Sequence, residues 1–189
     1  MKKSIGKKTL IYTHPVFIVG TYDRRQVPNI MAVSWGGICC SKPPCIAISL
    51  RKATYTYDNV LYNQAFSINI PSIKYVNEAD FAGVFSGRDI NKFSELGLTS
   101  IRSDIVNAPI VKEFPVNVIC KLYKTLEIGL HTQFIGEILD VLADEDIIGS
   151  NGFPQIEKVQ PFVYDSSSTA YYSIGHKISE AFKAERKSK

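Results

Sequence analysis

Residues 15–22 (PVFIVGTY) form an apolar run of β-branched and aromatic side chains, and a polar turn at Asp23-Arg24-Arg25-Gln26 ends it. Residues 29–40 (NIMAVSWGGICC) resume the strand pattern, with Gly36-Gly37 inside it predicting a bulge or a close backbone approach. After Ser41-Lys42-Pro43-Pro44, residues 45–50 (CIAISL) make a short apolar strand, and the three runs together predict an antiparallel meander. The period then changes. Residues 54–64 (TYTYDNVLYNQ) read as a helix capped by Thr54, with Val60 and Leu61 on its inner face. Residues 65–70 (AFSINI) return to strand and stop at Pro71.

Residues 75–85 predict a second short helix, broken by Ser86-Gly87-Arg88-Asp89, and residues 90–96 a third. Residues 116–128 and 132–142 are two long β stretches separated by Gly129-Leu130-His131. An acidic turn follows at Asp144-Glu145-Asp146, and Gly and Pro breaks make residues 149–161 a loop. Residues 170–174 read as a last strand. Residues 177–186 read as a terminal amphipathic helix, with Ile178, Ala181 and Phe182 at helical spacing. Strands with short helices between them, without βαβ alternation, argue against a Rossmann or flavodoxin fold. A mainly β (α+β) barrel with short helical excursions and a C-terminal helix fits better.

Composition narrows the class. A chain of 189 residues, 45% of them hydrophobic, has the size of one domain with a real core, and no linker divides residues 1–189. The net charge of +4 gathers at the ends, in Lys2, Lys3, Lys7 and Lys8 and in Lys183, Arg186, Lys187 and Lys189, as solvated tails. No basic stripe interleaved with aromatics is visible, so nucleic-acid binding is not expected. The N-terminal charges precede no apolar run, and nothing approaches the ~20 apolar residues of a membrane helix, so the chain reads as soluble and cytoplasmic.

Candidate chemistry is first narrowed by what is missing. Cys39, Cys40, Cys45 and Cys120 form no C-x-x-C, and they read as reduced thiols acting as small apolar residues, with a redox-active thiol the other reading. His14, His131 and His176 lie far apart and no H-E-x-x-H occurs, which speaks against a metal. No G-x-S-x-G is present to carry a serine nucleophile.

Positive signals are dispersed. Arg51, Lys52 and Thr54 put two cations and a hydroxyl at a strand-to-helix junction, where a helix N-terminus adds N–H groups suited to a phosphate. Taken alone, Arg51 and Lys52 fit an exposed strand end better. Trp35, the only tryptophan, suits stacking on a planar ring or an ordinary core or interface position.

Several segments resemble the flavin reductase-like FMN-binding family, which includes flavoredoxin. Asn29-Ile30-Met31-Ala32-Val33-Ser34-Trp35 resembles its N-x-M-x-x-S-W strand. Pro43-Pro44 followed by Ser49-Leu50-Arg51-Lys52-Ala53-Thr54 is similar to its PP-x-strand-R-x-x-T segment, and Phe66-Ser67-Ile68-Asn69 to its F-x-V-N strand. His131-Thr132-Gln133-Phe134-Ile135-Gly136-Glu137 resembles H-x-x-F-x-G-E, and Ser86-Gly87 with Lys92-Phe93 its S-G-x-x-x-x-K-F loop. The likeness runs from Pro15 to about Tyr172.

The resemblance implies an FMN-binding split β-barrel. It sets Asn29, Met31, Ala32, Val33, Ser34 and Trp35 along the ring, and Ser49, Leu50, Arg51, Lys52 and Thr54 toward the phosphate. Asn69, Ser86, Lys92 and His131 also belong to the implied site, Lys92 and His131 at its outer end. Arg88 and Lys92 are open between the phosphate and a nicotinamide dinucleotide. Tyr164 and the Tyr171-Tyr172 pair match a C-terminal segment near the flavin only loosely.

The implied protein is a homodimer whose second chain covers the ring. It is an oxidoreductase passing electrons from a transient NAD(P)H donor or a redox partner protein. The alternatives are a flavoredoxin-type electron carrier and an FMN-storage protein without turnover. No protein acid or base is expected to be essential, because the cofactor carries the redox chemistry.

Overall fold

The computed structural model describes residues 1–183. The chain runs through β1 (His14–Pro15), β2 (Phe17–Tyr22), β3 (Pro28–Val33), β4 (Gly36–Ser41), β5 (Pro44–Arg51), α1 (Tyr55–Asn63) and β6 (Ala65–Ile70). Short helices α2 (Val76–Val84) and α3 (Lys92–Leu96) precede β7 (Ser100–Arg102), β8 (Pro109–Val111), β9 (Val116–Ile128) and β10 (His131–Ala143). A single turn α4 (Ile156–Val159) leads to β11 (Phe162–Asp165) and β12 (Ala170–Ser173).

Seven strands pair antiparallel in the order β3-β2-β6-β9-β10-β5-β4, while β1-β11-β12 and β7-β8 form smaller sheets. The two edge strands of the large sheet, β3 and β4, are consecutive in the chain and joined only by Ser34 and Trp35. Laid flat, seven strands would hold those edges about 29 Å apart. Two connecting residues reach no more than about 11 Å. The sheet therefore curls into a barrel, and Ser34-Trp35 is its seam.

Strand alternation divides the apolar residues between two cores. Val19, Ile48, Leu50, Phe66, Ile68 and Phe134 fill the barrel interior, with Val60 of α1 closing one end. Ile18, Ile30, Val111, Phe114 and Phe162 face outward under α2 and α3, beside Ala79, Ala82 and Phe93. Strand β2 is buried on both faces, which is why its sequence reads as one unbroken apolar run. Gly136 lies where an added Cβ would stand 2.5 Å from Phe66 Cζ, so the absent side chain makes room for that ring.

The structure revises several expectations. Residues 29–40 are two strands, and β3 and β4 belong to separate hairpins with β2 and β5 rather than to a meander. Barrel closure, a long-range constraint, imposes that break. The bulge falls at Cys39 instead of the glycines, although Gly36 does approach backbone closely, 2.8 Å from its virtual Cβ to the Ala47 carbonyl oxygen.

Thr54 occupies the N-cap position of α1 without capping it, because its hydroxyl donates to the Arg51 carbonyl at 2.9 Å. Leu61 is exposed, and Thr56, Asn59 and Val60 form the inner face. The expected C-terminal helix is absent over 177–183, where Ile178 and Phe182 have no core to cover them. The rest of that span lies outside the described residues. No described helix is long and apolar enough to cross a membrane.

Candidate functional site

A cleft of about 570 Å³ opens at the barrel seam, within the usual size range of small-molecule sites. One wall is Met31 to Trp35, from the end of β3 across the seam. The facing wall is Ser49, Leu50 and Arg51 of β5, continuing into Ala53 and Thr54 before α1. The end of α2 and the β11–β12 hairpin close the rim. A smaller cavity of about 190 Å³ shares Met31, Ala53, Thr54, Gly83 and Val84 with it and extends the groove to Ser86 and Lys92.

Charge in the groove is uneven. Arg51 is exposed at the end of β5, directly opposite His131 in the β5–β10 register, and forms no ion pair among the described residues. The first N–H groups of α1 lack a side-chain cap and lie next to Ala53 and Thr54, which line both parts of the groove. Uncapped N–H groups and a free guanidinium form an anion-binding corner. The Arg88 guanidinium straps the 86–89 loop to this helix end, donating to the Ala53 carbonyl at 2.7 Å and pairing with Asp58 at 3.3 Å.

The opposite end is aromatic. Trp35 separates the cleft from a second cavity of about 600 Å³ beneath the N-terminal arm. His14 stacks on one face of its indole, 5.0 Å between centroids and 4° from parallel. A ligand in the cleft thus meets only the other face or the edge. Tyr164 packs 5.6 Å from Tyr171, whose hydroxyl donates to Asp80 at 3.0 Å. Burial, and then the Asp80 carboxylate, push the Tyr171 hydroxyl above the ordinary tyrosine range. His14 and Asp80 do not stand out in the sequence as site residues, because each enters through a contact distant along the chain, with Trp35 and Tyr171 respectively, whereas Tyr171 belongs to the tyrosine pair that the sequence offers loosely.

The structure brings most of the sequence-predicted residues together. Met31, Ala32, Val33, Ser34 and Trp35 line the cleft from one side, Ser49, Leu50, Arg51 and Thr54 from the other, with His131 and Tyr164 at the rim. His131 stands on β10 rather than in a loop. Two predicted residues lie elsewhere. Lys52, in the turn just past β5, points its ammonium at Glu127, 2.7 Å away, and lines neither part of the groove. Asn69 is buried in the core with its amide satisfied, donating to the Ile18 carbonyl and Ser67 and accepting from the Val111 N–H and Asn117.

Asn29, Ser86 and Lys92 line the smaller cavity and not the cleft, and Asn29 also lines a neighbouring cavity of about 200 Å³. Asn29 donates to the Thr56 hydroxyl, while its carbonyl oxygen is buried without a partner.

Lys92 is 2% exposed, and its ammonium donates to the Ala82 carbonyl at 2.7 Å and the Ile30 carbonyl at 2.8 Å. Ala82 belongs to the last turn of α2, so the lysine caps that helix end and ties it to β3. Burial pushes its pKa down to about 8. The folded protein disfavours the cation relative to the unfolded chain, whose lysine titrates near 10.5. That penalty is full below pH 8 and fades as pH rises toward 10.5, so this group makes stability climb with pH in that window, by at most about 3 kcal/mol. Lys92→Met is expected to lose the climb and to destabilise by about 1–3 kcal/mol at neutral pH, since it orphans two carbonyls. Urea unfolding of both proteins from pH 7 to 10 checks this; parallel pH profiles would refute it.

Residues 9–170 match the family model described as "Flavin reductase like domain". The chain is 52% identical to the flavoredoxin of Desulfovibrio vulgaris (Miyazaki F), covering 97% of this chain and 99% of that one, with a TM-score of 0.93. A flavoredoxin from Methanosarcina acetivorans is 28% identical over 97% of this chain and 96% of that chain, with a TM-score of 0.90. A ferric-chelate reductase (NAD(P)H) of Archaeoglobus fulgidus is 30% identical over 111 residues, 57% of this chain and 64% of that protein.

Proposed function

The chain belongs to the flavin reductase-like family, and from that premise we propose that it binds FMN in the seam groove and passes electrons through it. The observation that carries this reading is the pairing, within one groove, of an anion-binding corner with an aromatic and apolar wall. FMN has the matching polarity, a planar ring system at one end and a phosphate at the other. The donor set fits the phosphate: the Arg51 guanidinium, the Thr54 region and the uncapped N–H groups of α1 converge there. The smaller cavity places Ser86 and Lys92 beside the same corner.

When bound, FMN supplies hydride or single-electron chemistry. The protein's own residues hold, orient and shield. Met31, Ala32 and Val33 supply apolar contact, and Ser34 and Ser49 supply hydroxyls beside it. Trp35, fixed from behind by His14, limits how far a ring can slide toward the second cavity. No side chain needs to move a proton for this role.

The homodimer reading rests on exposed apolar surface. The outer half of the β9–β10 hairpin leaves Tyr123, Leu126, Ile128 and Leu130 open to solvent, and Ile38 of β4 is 69% exposed. A second copy of the chain is the proposed cover.

The 52% identity to a flavoredoxin favours a carrier served by a redox partner protein; the ferric-chelate reductase relative favours a reductase served by NAD(P)H. One experiment separates them. The purified protein is expected to show flavin absorbance bands, and stripped protein to recover them on titration with FMN. Anaerobic stopped-flow mixing with NADH or NADPH then bleaches the bands within seconds for a reductase and leaves them unchanged for a carrier. A colourless protein that takes up no FMN overturns the whole reading.

A further inference from the structure

All four cysteines are free thiols, and three of them sit on the β4–β5 hairpin. Cys40 is the register partner of Cys45. The ladder slips between Ile38 and Cys40, so Cys39 is the extra residue and shares with Cys40 the space opposite Cys45. Directly opposed residues of an antiparallel pair have Cα atoms about 4.5–5.5 Å apart. A disulfide spans about 4.4–6.8 Å between Cα atoms. Cys40 is exposed while Cys45 is buried, so one sulfur can meet a reagent from solvent and the other waits behind it.

We propose that Cys40 and Cys45 are a reversible dithiol–disulfide site, entered through Cys40 and served by low-molecular-weight disulfides. The Cys40 sulfur attacks a disulfide RSSR, breaking its S–S bond. One RS⁻ leaves and takes up the proton that Cys40 lost. The Cys45 sulfur then attacks the Cys40 sulfur in the mixed disulfide, displacing the second RS⁻, which takes up the Cys45 proton. The protein gives up two electrons and two protons, and RSSR becomes two RSH. Burial pushes the Cys45 thiol above its ordinary range, which makes it a poor first attacker, and its own attack is intramolecular, on a sulfur held opposite it by the strand register. Strand β4 begins immediately after Trp35, so the bridge fastens to β5 the edge strand that carries the seam.

The test is peptide mapping of the intact protein after incubation with glutathione disulfide, with free thiols alkylated before unreduced digestion. The expected product is a peptide that holds Cys40 and Cys45 in an internal bridge, is two hydrogens lighter than the dithiol and is reversed by dithiothreitol. Because Cys39 is adjacent, variants assign the bond: Cys39→Ser keeps the bridge and Cys40→Ser abolishes it. Both substitutions fall on exposed positions, so folding is not at risk. Stable glutathione adducts on Cys40 with Cys45 still alkylatable overturn the proposal, as does a bridge that survives Cys40→Ser or one that links two chains.

Discussion

Arg51→Ala is expected to raise the dissociation constant for FMN about 10- to 150-fold. The figure follows from the roughly 1.5–3 kcal/mol that a hydrogen bond to a charged partner contributes, at about 1.4 kcal/mol per tenfold change. The structure makes this substitution a clean probe. Arg51 is exposed and has no ion pair among the described residues, so its removal strands no partner and leaves the fold intact. Arg51→Lys keeps the charge but not the planar fork of donors, and is expected to fall between the two. The effect should shrink with added salt, because the corner is open to solvent. Fluorescence titration of stripped protein at two ionic strengths measures both. Lys52→Ala is the internal control: its ammonium faces Glu127, away from the groove, and its loss should leave affinity nearly unchanged. Equal affinities for wild type and Arg51→Ala would remove Arg51 from the site.

The largest effect on stability is expected from Phe134→Ala, a loss of about 3–5 kcal/mol. Phe134 is fully buried in the barrel interior and meets Tyr57 edge-on at 5.2 Å. It stands on β10 between the neighbours β9 and β5, opposite Thr125 and Ile48. Those strands are paired on both sides, so the backbone cannot easily collapse into the space left behind. Against a typical domain stability of about 5–15 kcal/mol, the loss is a large share. A shift of the urea midpoint at constant slope would report it. A loss below about 1 kcal/mol would mean that the barrel interior repacks freely.

Much of this architecture is legible in the sequence where the signal is local. The β9–β10 hairpin is visible almost to its boundaries, because thirteen-residue strands and Gly129 leave a long pattern and a clear stop. Helix α1 is visible in position but only partly in its inner face: Val60 is buried there as the pattern predicts, while Thr56 and Asn59 turn inward to hydrogen-bond Asn29 and Thr21. Polar residues that satisfy one another inside a fold look exposed in a hydropathy pattern. Strands β7, β8 and β11, of three or four residues each, are too short to show a period.

The site follows the same division. Met31 to Trp35 and Ser49 to Thr54 are contiguous runs and could be picked out, whereas Asp80 and Tyr171 line the groove, and His14 backs Trp35 from the second cavity, only through tertiary packing. Lys92 was visible as a cation of the groove, yet two of its protons are committed to backbone carbonyls, a role no spacing announces.

Because Ser34 and Trp35 join the two edges of one sheet, neither half of the chain can assemble the groove by itself. Any ligand held there selects the closed barrel over the unfolded chain. Mass action then adds RT ln(1 + [L]/Kd) to the free energy of unfolding, about 2.7 kcal/mol when the ligand stands a hundredfold above its dissociation constant. Ligand supply becomes a determinant of how long the chain survives proteolysis, and a cell short of the ligand would hold less of the protein at the same rate of synthesis.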